Sequence, residues 1–219
     1  MNKESCLKAF SPLLTFICAM CFVVGFMMIF YIEPGIHLNP HQRLDFILTN
    51  GRFFQAWYVV IFVVFGCSLL LLVNTINRII AANQAWTYHL SMMFGFIWAC
   101  YTIACGFIAI LSIEYLLMLP SEEQRTVWFA IYSIQMGLGD GVEWVGGFWL
   151  LVLSIHGLQY HLPVRALHLF GAGVGSLGCL TLIPSLANAG ALFGVLHIFW
   201  FIWVGVLLYR ASAKARITA

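Results

Sequence analysis

The charged residues of this chain are confined to short intervals, and between them run six apolar stretches of about 20 residues with almost no ionisable side chain inside. Each is long enough to cross the roughly 30 Å hydrocarbon core of a bilayer as an α-helix. Hydrocarbon offers no hydrogen-bond partner to an exposed peptide group, so segments that cross it must be helical. The pattern predicts an all-α, polytopic membrane protein with six transmembrane helices, near residues 10–32, 53–73, 90–112, 141–157, 164–184 and 189–209, forming one integral domain over 1–219.

Composition agrees. A chain that is 63% hydrophobic and 8% charged would aggregate as a soluble globule. The net charge of +2 is too small and scattered for a nucleic-acid partner. Cys18, Cys21, Cys67, Cys100, Cys105 and Cys179 fall inside apolar stretches, where they read as small packing residues rather than disulfides. Cys18 and Cys21 have redox C-x-x-C spacing, but a thiolate inside a span is poorly solvated. The first stretch follows Lys3 and Lys8 as a signal peptide would. Its apolar part exceeds a signal core and no small-x-small cleavage site precedes Glu33, so it reads as a retained anchor.

With six spans, Lys3, Lys8, Arg78, Arg165, Arg210, Lys214 and Arg216 share one side, against Arg43, Arg52 and Arg125 on the other. This bias places both termini in the cytoplasm and the protein in a cell inner membrane. In the first outer connection, Asn39 and Pro40 read as cap and first residue of a short surface helix. Its apolar face is Leu44, Ile47 and Leu48, and Asn50-Gly51 is the expected stop. His37 and His41 have H-x-x-x-H spacing without further clustered ligands, so no metal site is expected. Residues 121–157 would make one helix of roughly 55 Å, more than a bilayer needs. An additional outer-face helix near 122–138, before the fourth span, is therefore expected, ended by Gly137-Leu138-Gly139-Asp140-Gly141. Its stripe of Thr126, Ala130, Ser133 and Gly137 suits packing on other helices. A seventh crossing over 127–138 is too short and would put the cationic C-terminus outside.

Few residues inside such a bundle bear chemistry. Asp140 and Glu143 stand at the mouth of the fourth span, where acids are costly unless paired, hydrated or functional. They read either as a binding site or as a capping box for that span. His197 lies at similar depth, on a face with Phe193, Trp200 and Val204. On the inner side, His89, His156, His161 and His168 permit the alternative of a b-type haem. Gly171 and Gly175 form a G-x-x-x-G close-packing face, a candidate homo-oligomer contact. No hydrolase, Walker or zincin motif occurs, and no lysine lies in a span to hold retinal.

The pattern Glu143-x-x-Gly146-Gly147-x-Trp149, followed in the last span by Trp200-x-x-Trp203-x-Gly205 before a cationic end, resembles a family of small six-span bacterial inner-membrane proteins of unknown function. The resemblance covers the C-terminal third and implies a bacterial inner membrane without implying an activity.

The first functional expectation is a non-enzymatic protein that binds a lipid, small solute or partner subunit through the Asp140/Glu143 region, without a cofactor. The second is a haem-binding or redox enzyme using the inner histidines. The third is a proton-coupled transporter, disfavoured by the absence of an internal repeat and of polar groups to line a path.

Overall fold

The computed structural model describes residues 3–32, 39–81, 83–138 and 142–217, with side chains over 11–32, 39–81, 83–138 and 142–214. Asp140, with Gly139, Gly141, Glu33 and His37, lies outside the described residues. All regular structure among those described is helical: α1 (Lys3–Met27), α2 (Pro40–Tyr58), α3 (Phe65–Ile80), α4 (Trp86–Met118), α5 (Ser121–Leu138), α6 (Val142–Gln159), α7 (Arg165–Leu180) and α8 (Ala189–Ile217). Five stretches are long and apolar enough to cross a membrane, Ser11–Ile32, Pro40–Ile80, Trp86–Met118, Ser121–Gln159 and Ala189–Lys214. The expected span over 164–184 is represented by α7, whose 16 residues rise about 24 Å.

Asn39 caps α2 as expected, its side chain accepting from the His41 and Gln42 amides, with Pro40 in the first turn. The expected stop at Asn50-Gly51 is instead a bend. Asn50 leaves helical geometry (φ −126°, ψ 31°) and the helix resumes at once. Arg43 Nη2 donates to Tyr58 Oη at 2.7 Å, although fifteen residues of straight helix would separate their backbones by about 22 Å. The side chains could not span that distance, so the chain folds back sharply at Asn50. A π-helical turn, Val59–Val64, then joins α2 to α3.

Six helices close into a ring in the order α1, α3, α4, α6, α7, α8 and back to α1. Neighbours run antiparallel. On α1 and α8, Thr15, Phe22 and Phe26 meet Gly205, His197 and Gly194. On α6 and α7, Gly147, Ser154 and Gly157 meet Gly178, Gly171 and His168. Two glycines act as reciprocal seats between α4 and α6: Gly146 lies under the Trp98 indole and Gly95 under that of Trp149. A Cβ on Gly147 would fall 2.6 Å from the Gly178 backbone, so α6 and α7 touch at main-chain distance. Gly171 and Gly175 face Ser154, Leu150 and Leu151 of α6. The face expected to receive a second copy is thus occupied within the chain.

Inside the ring, buried apolar residues form one core, including Cys18, Phe65, Trp98, Trp149, Phe193, Trp200 and Phe201. A second core, with Met28, Leu44, Ile47, Phe54, Tyr58, Ile113 and Trp128, joins α2, the second half of α4 and α5 into a lobe at one end. α4 explains this division. Its 33 residues rise about 50 Å, well beyond the expected 90–112. The first half packs on α6, while the second half runs beside α5, where Gln124 Nε2 donates to the Leu116 and Leu119 carbonyls. α5 begins and ends within a residue of expectation, but another face is buried. Thr126, Ala130, Ser133 and Gly137 are exposed. Trp128 is fully enclosed and donates from Nε1 to the Pro40 carbonyl at 2.8 Å. A large indole with a satisfied N–H gains more from burial than a stripe of small residues can.

Candidate functional site

Glu143 begins α6, half-buried, and its side chain rests on the first turn of α8: a Cβ at Gly190 would lie 3.5 Å from Glu143 Cγ. A carboxylate beside a helix N-terminus is stabilised by the aligned peptide dipoles. His197 lies about two turns further along α8, and neither of its ring nitrogens makes a hydrogen bond. Glu143 and His197 are therefore not hydrogen-bonded to each other. His197 instead occupies an aromatic box. It is parallel to Phe22 (5.8 Å, 8°) and Trp149 (6.4 Å, 6°), steeply inclined to Phe193 and Trp200, and 4.6 Å from Phe201. Phe193, Trp200 and Val204 are all buried with it, as their shared face predicts. A neutral imidazole so enclosed behaves as another aromatic ring, with at most weak N–H···π contacts for its nitrogens.

The four inner histidines divide. His89 and His161 are exposed. His161 has φ 51°, and beyond it Leu162 N donates to Gly157 O at 2.9 Å, so it closes α6 in a left-handed cap. His156 and His168 are brought together across α6 and α7, the His168 ring filling the space left by Gly157. A b-type haem would need a slot for the macrocycle between its axial ligands. With α6 and α7 at main-chain contact and the His168 ring seated on Gly157, these two histidines do not fit that group.

The lobe contains a site that sequence reasoning missed. Arg43 is buried on α2, its guanidinium donating to Tyr58 Oη and lying 6.0 Å over Phe54 and 5.8 Å over Tyr132. Such ring faces stabilise a desolvated cation. Beside it is a pocket with polar residues Arg43, Tyr58 and Gln135 and apolar walls from Phe62, Ile108 and Leu138, holding free space for about one water. The buried Gln135 Oε1 has no hydrogen-bond partner. Tyr58 and Phe62 bracket the π-helical turn, a feature that recurs at functional sites. The pocket reaches Leu138, two residues before Asp140. Sequence held one signal: Arg43 precedes Ile47 by one helical turn and so shares the apolar face. Chemically, the site offers a cationic donor and an unsatisfied acceptor at the edge of apolar walls, suited to a polar head with an apolar tail. No family model, curated protein or solved structure matches the chain.

Proposed function

We propose that this protein is a non-enzymatic, multi-pass membrane protein that binds a lipid or similar small amphiphile at the Arg43 pocket, next to the Asp140/Glu143 region. The observation carrying this reading is a buried arginine that shares a pocket with an unsatisfied Gln135 acceptor, against apolar walls open to a hydrocarbon tail. α7 serves as the sixth span in this reading, since it lies antiparallel between α6 and α8 and completes the ring. The cation bias then puts both termini in the cytoplasm and the α5 lobe outside, in a bacterial inner membrane. Reporter fusions after Lys214 should report the cytoplasm and fusions at Glu122 the exterior; an external C-terminus overturns the six-span reading.

Ligand binding is tested by extracting the protein in mild detergent and quantifying co-purifying lipid by native mass spectrometry. Arg43→Ala should reduce the bound species about 10- to 100-fold, the range for losing a hydrogen bond from a charged group. Arg43→Lys should lose less, because charge persists while the planar donor fork does not. Retention of every bound species at wild-type stoichiometry in Arg43→Ala refutes the lipid reading.

A further inference from the structure

The end of the bundle opposite the lobe holds chemistry that lipid binding leaves unused. His156 on α6 is fully buried, with Nδ1 2.9 Å from Thr87 Oγ. The Thr87 hydroxyl donates to Gln159 Oε1 at 3.4 Å. Having one proton to give, Thr87 accepts from His156, which fixes the imidazole proton on Nδ1. On α7, His168 bonds the Pro163 backbone carbonyl. A carbonyl only accepts and His168 Nε2 has no partner, so this proton also sits on Nδ1.

Both rings therefore present a lone pair at Nε2, and both Nε2 atoms are buried without a hydrogen bond. The turn that sets this up is strained. Val164, a β-branched residue at φ 64°, adopts a backbone geometry rare for its type, and directly follows the Pro163 carbonyl that holds His168. No hydrogen bond joins the rings, yet they are close enough for their charges to interact. Two nitrogens bound to one ion at about 2.0–2.1 Å each are up to about 4 Å apart, a separation lying between those two limits. Imidazoles with Nδ1–H held by a carbonyl or hydroxyl and Nε2 free are the usual prepared form of a histidine metal ligand.

We propose that His156 and His168 form a two-histidine site for a monovalent copper ion. Imidazole suits copper and zinc, but zinc takes four ligands and the described residues contain no cluster of three or more histidine, cysteine or acidic groups. A divalent ion would also carry two charges into a buried site whose two ligands are neutral, whereas a monovalent d10 ion is satisfied by two neutral donors. Binding uses existing lone pairs and releases no proton.

The test uses the purified full chain, titrated anaerobically with Cu(I) against a chromogenic Cu(I) chelator. One Cu(I) per chain should be withdrawn from the chelator, and His156→Ala and His168→Ala should each weaken binding at least tenfold. His89→Ala and His161→Ala should bind as wild type. Thr87→Val keeps both ligands and the side-chain shape, and should weaken affinity about 10- to 100-fold by releasing the His156 ring; it decides the matter if an alanine variant fails to fold. Absence of competition by the wild type, or undiminished Cu(I) retention in His168→Ala and Thr87→Val, overturns the site.

Discussion

Two parts of this molecule each bury a polar, ionisable side chain among aromatic rings, and they do so by opposite means. In the lobe, Arg43 keeps a hydroxyl acceptor at 2.7 Å, two ring faces and a small pocket around it. In the ring of helices, His197 is sealed among six rings, with neither nitrogen hydrogen-bonded. A guanidinium is always charged and must be solvated by whatever surrounds it, so its neighbours are polar or π-rich and leave space. An imidazole can be neutral and pack as a flat disc, so its neighbours close on it. Polarity inside a bundle thus marks a site when the surroundings are arranged around the charge, and core when they ignore it.

The largest expected effect tests the box as core. His197→Ala removes a ring packed on six others with little room to collapse, because Gly146 and Gly95 already seat the neighbouring indoles. A loss of about 3–5 kcal/mol is expected, as for other large-to-small core changes, read from reversible unfolding in detergent. A loss below about 1 kcal/mol would mean that the box is loosely packed, and the contrast with the lobe would fail.

The middle-sized effect tests the lobe. Tyr58→Phe keeps the ring against Phe54 and Phe62 but removes the acceptor from Arg43. The cost should be about 1.5–3 kcal/mol, the range for a hydrogen bond to a charged group, together with weaker retention of bound lipid. Stability and lipid retention both at wild-type levels would show that Arg43 draws its solvation from elsewhere.

Much of this contrast was legible in the sequence on the His197 side and little of it on the Arg43 side. Phe193, His197, Trp200 and Val204 fall on one face of a single helix, so local periodicity is enough to send them inward together. The Asn39 cap and the ends of α5 were legible for the same reason, being set by residues a few positions apart. Arg43 becomes buried only because the chain folds back at Asn50 and α5 closes over α2, contacts that bring Trp128 to Pro40 across the length of a full helix pair. No pattern within α2 specifies that neighbour. The extra turns of α4 were missed because hydropathy marks where a bilayer could lie, whereas the lobe continues the helix beside protein partners. The small stripe of α5 misled because small residues permit close packing without requiring it, and the buried face was decided by Trp128.

The smallest expected effect separates the two environments most sharply. His197→Leu replaces the imidazole with an apolar side chain of similar volume, removing two nitrogens that bond to nothing while giving up ring stacking with Phe22 and Trp149. Losing unsatisfied polar atoms from a buried site is favourable, and losing aromatic contacts costs about 0.5–1.5 kcal/mol per pair, so the terms oppose. The net change should stay within about 1.5 kcal/mol, as for volume-conserving core swaps, and well below that of His197→Ala. The parallel change in the lobe, Arg43→Met, should leave the helices folded but empty the pocket of bound lipid, because the charge there is what the surroundings are built to hold. If His197→Leu instead proves as damaging as His197→Ala, the imidazole nitrogens make an interaction beyond the aromatic packing, and the box belongs with the sites rather than with the core.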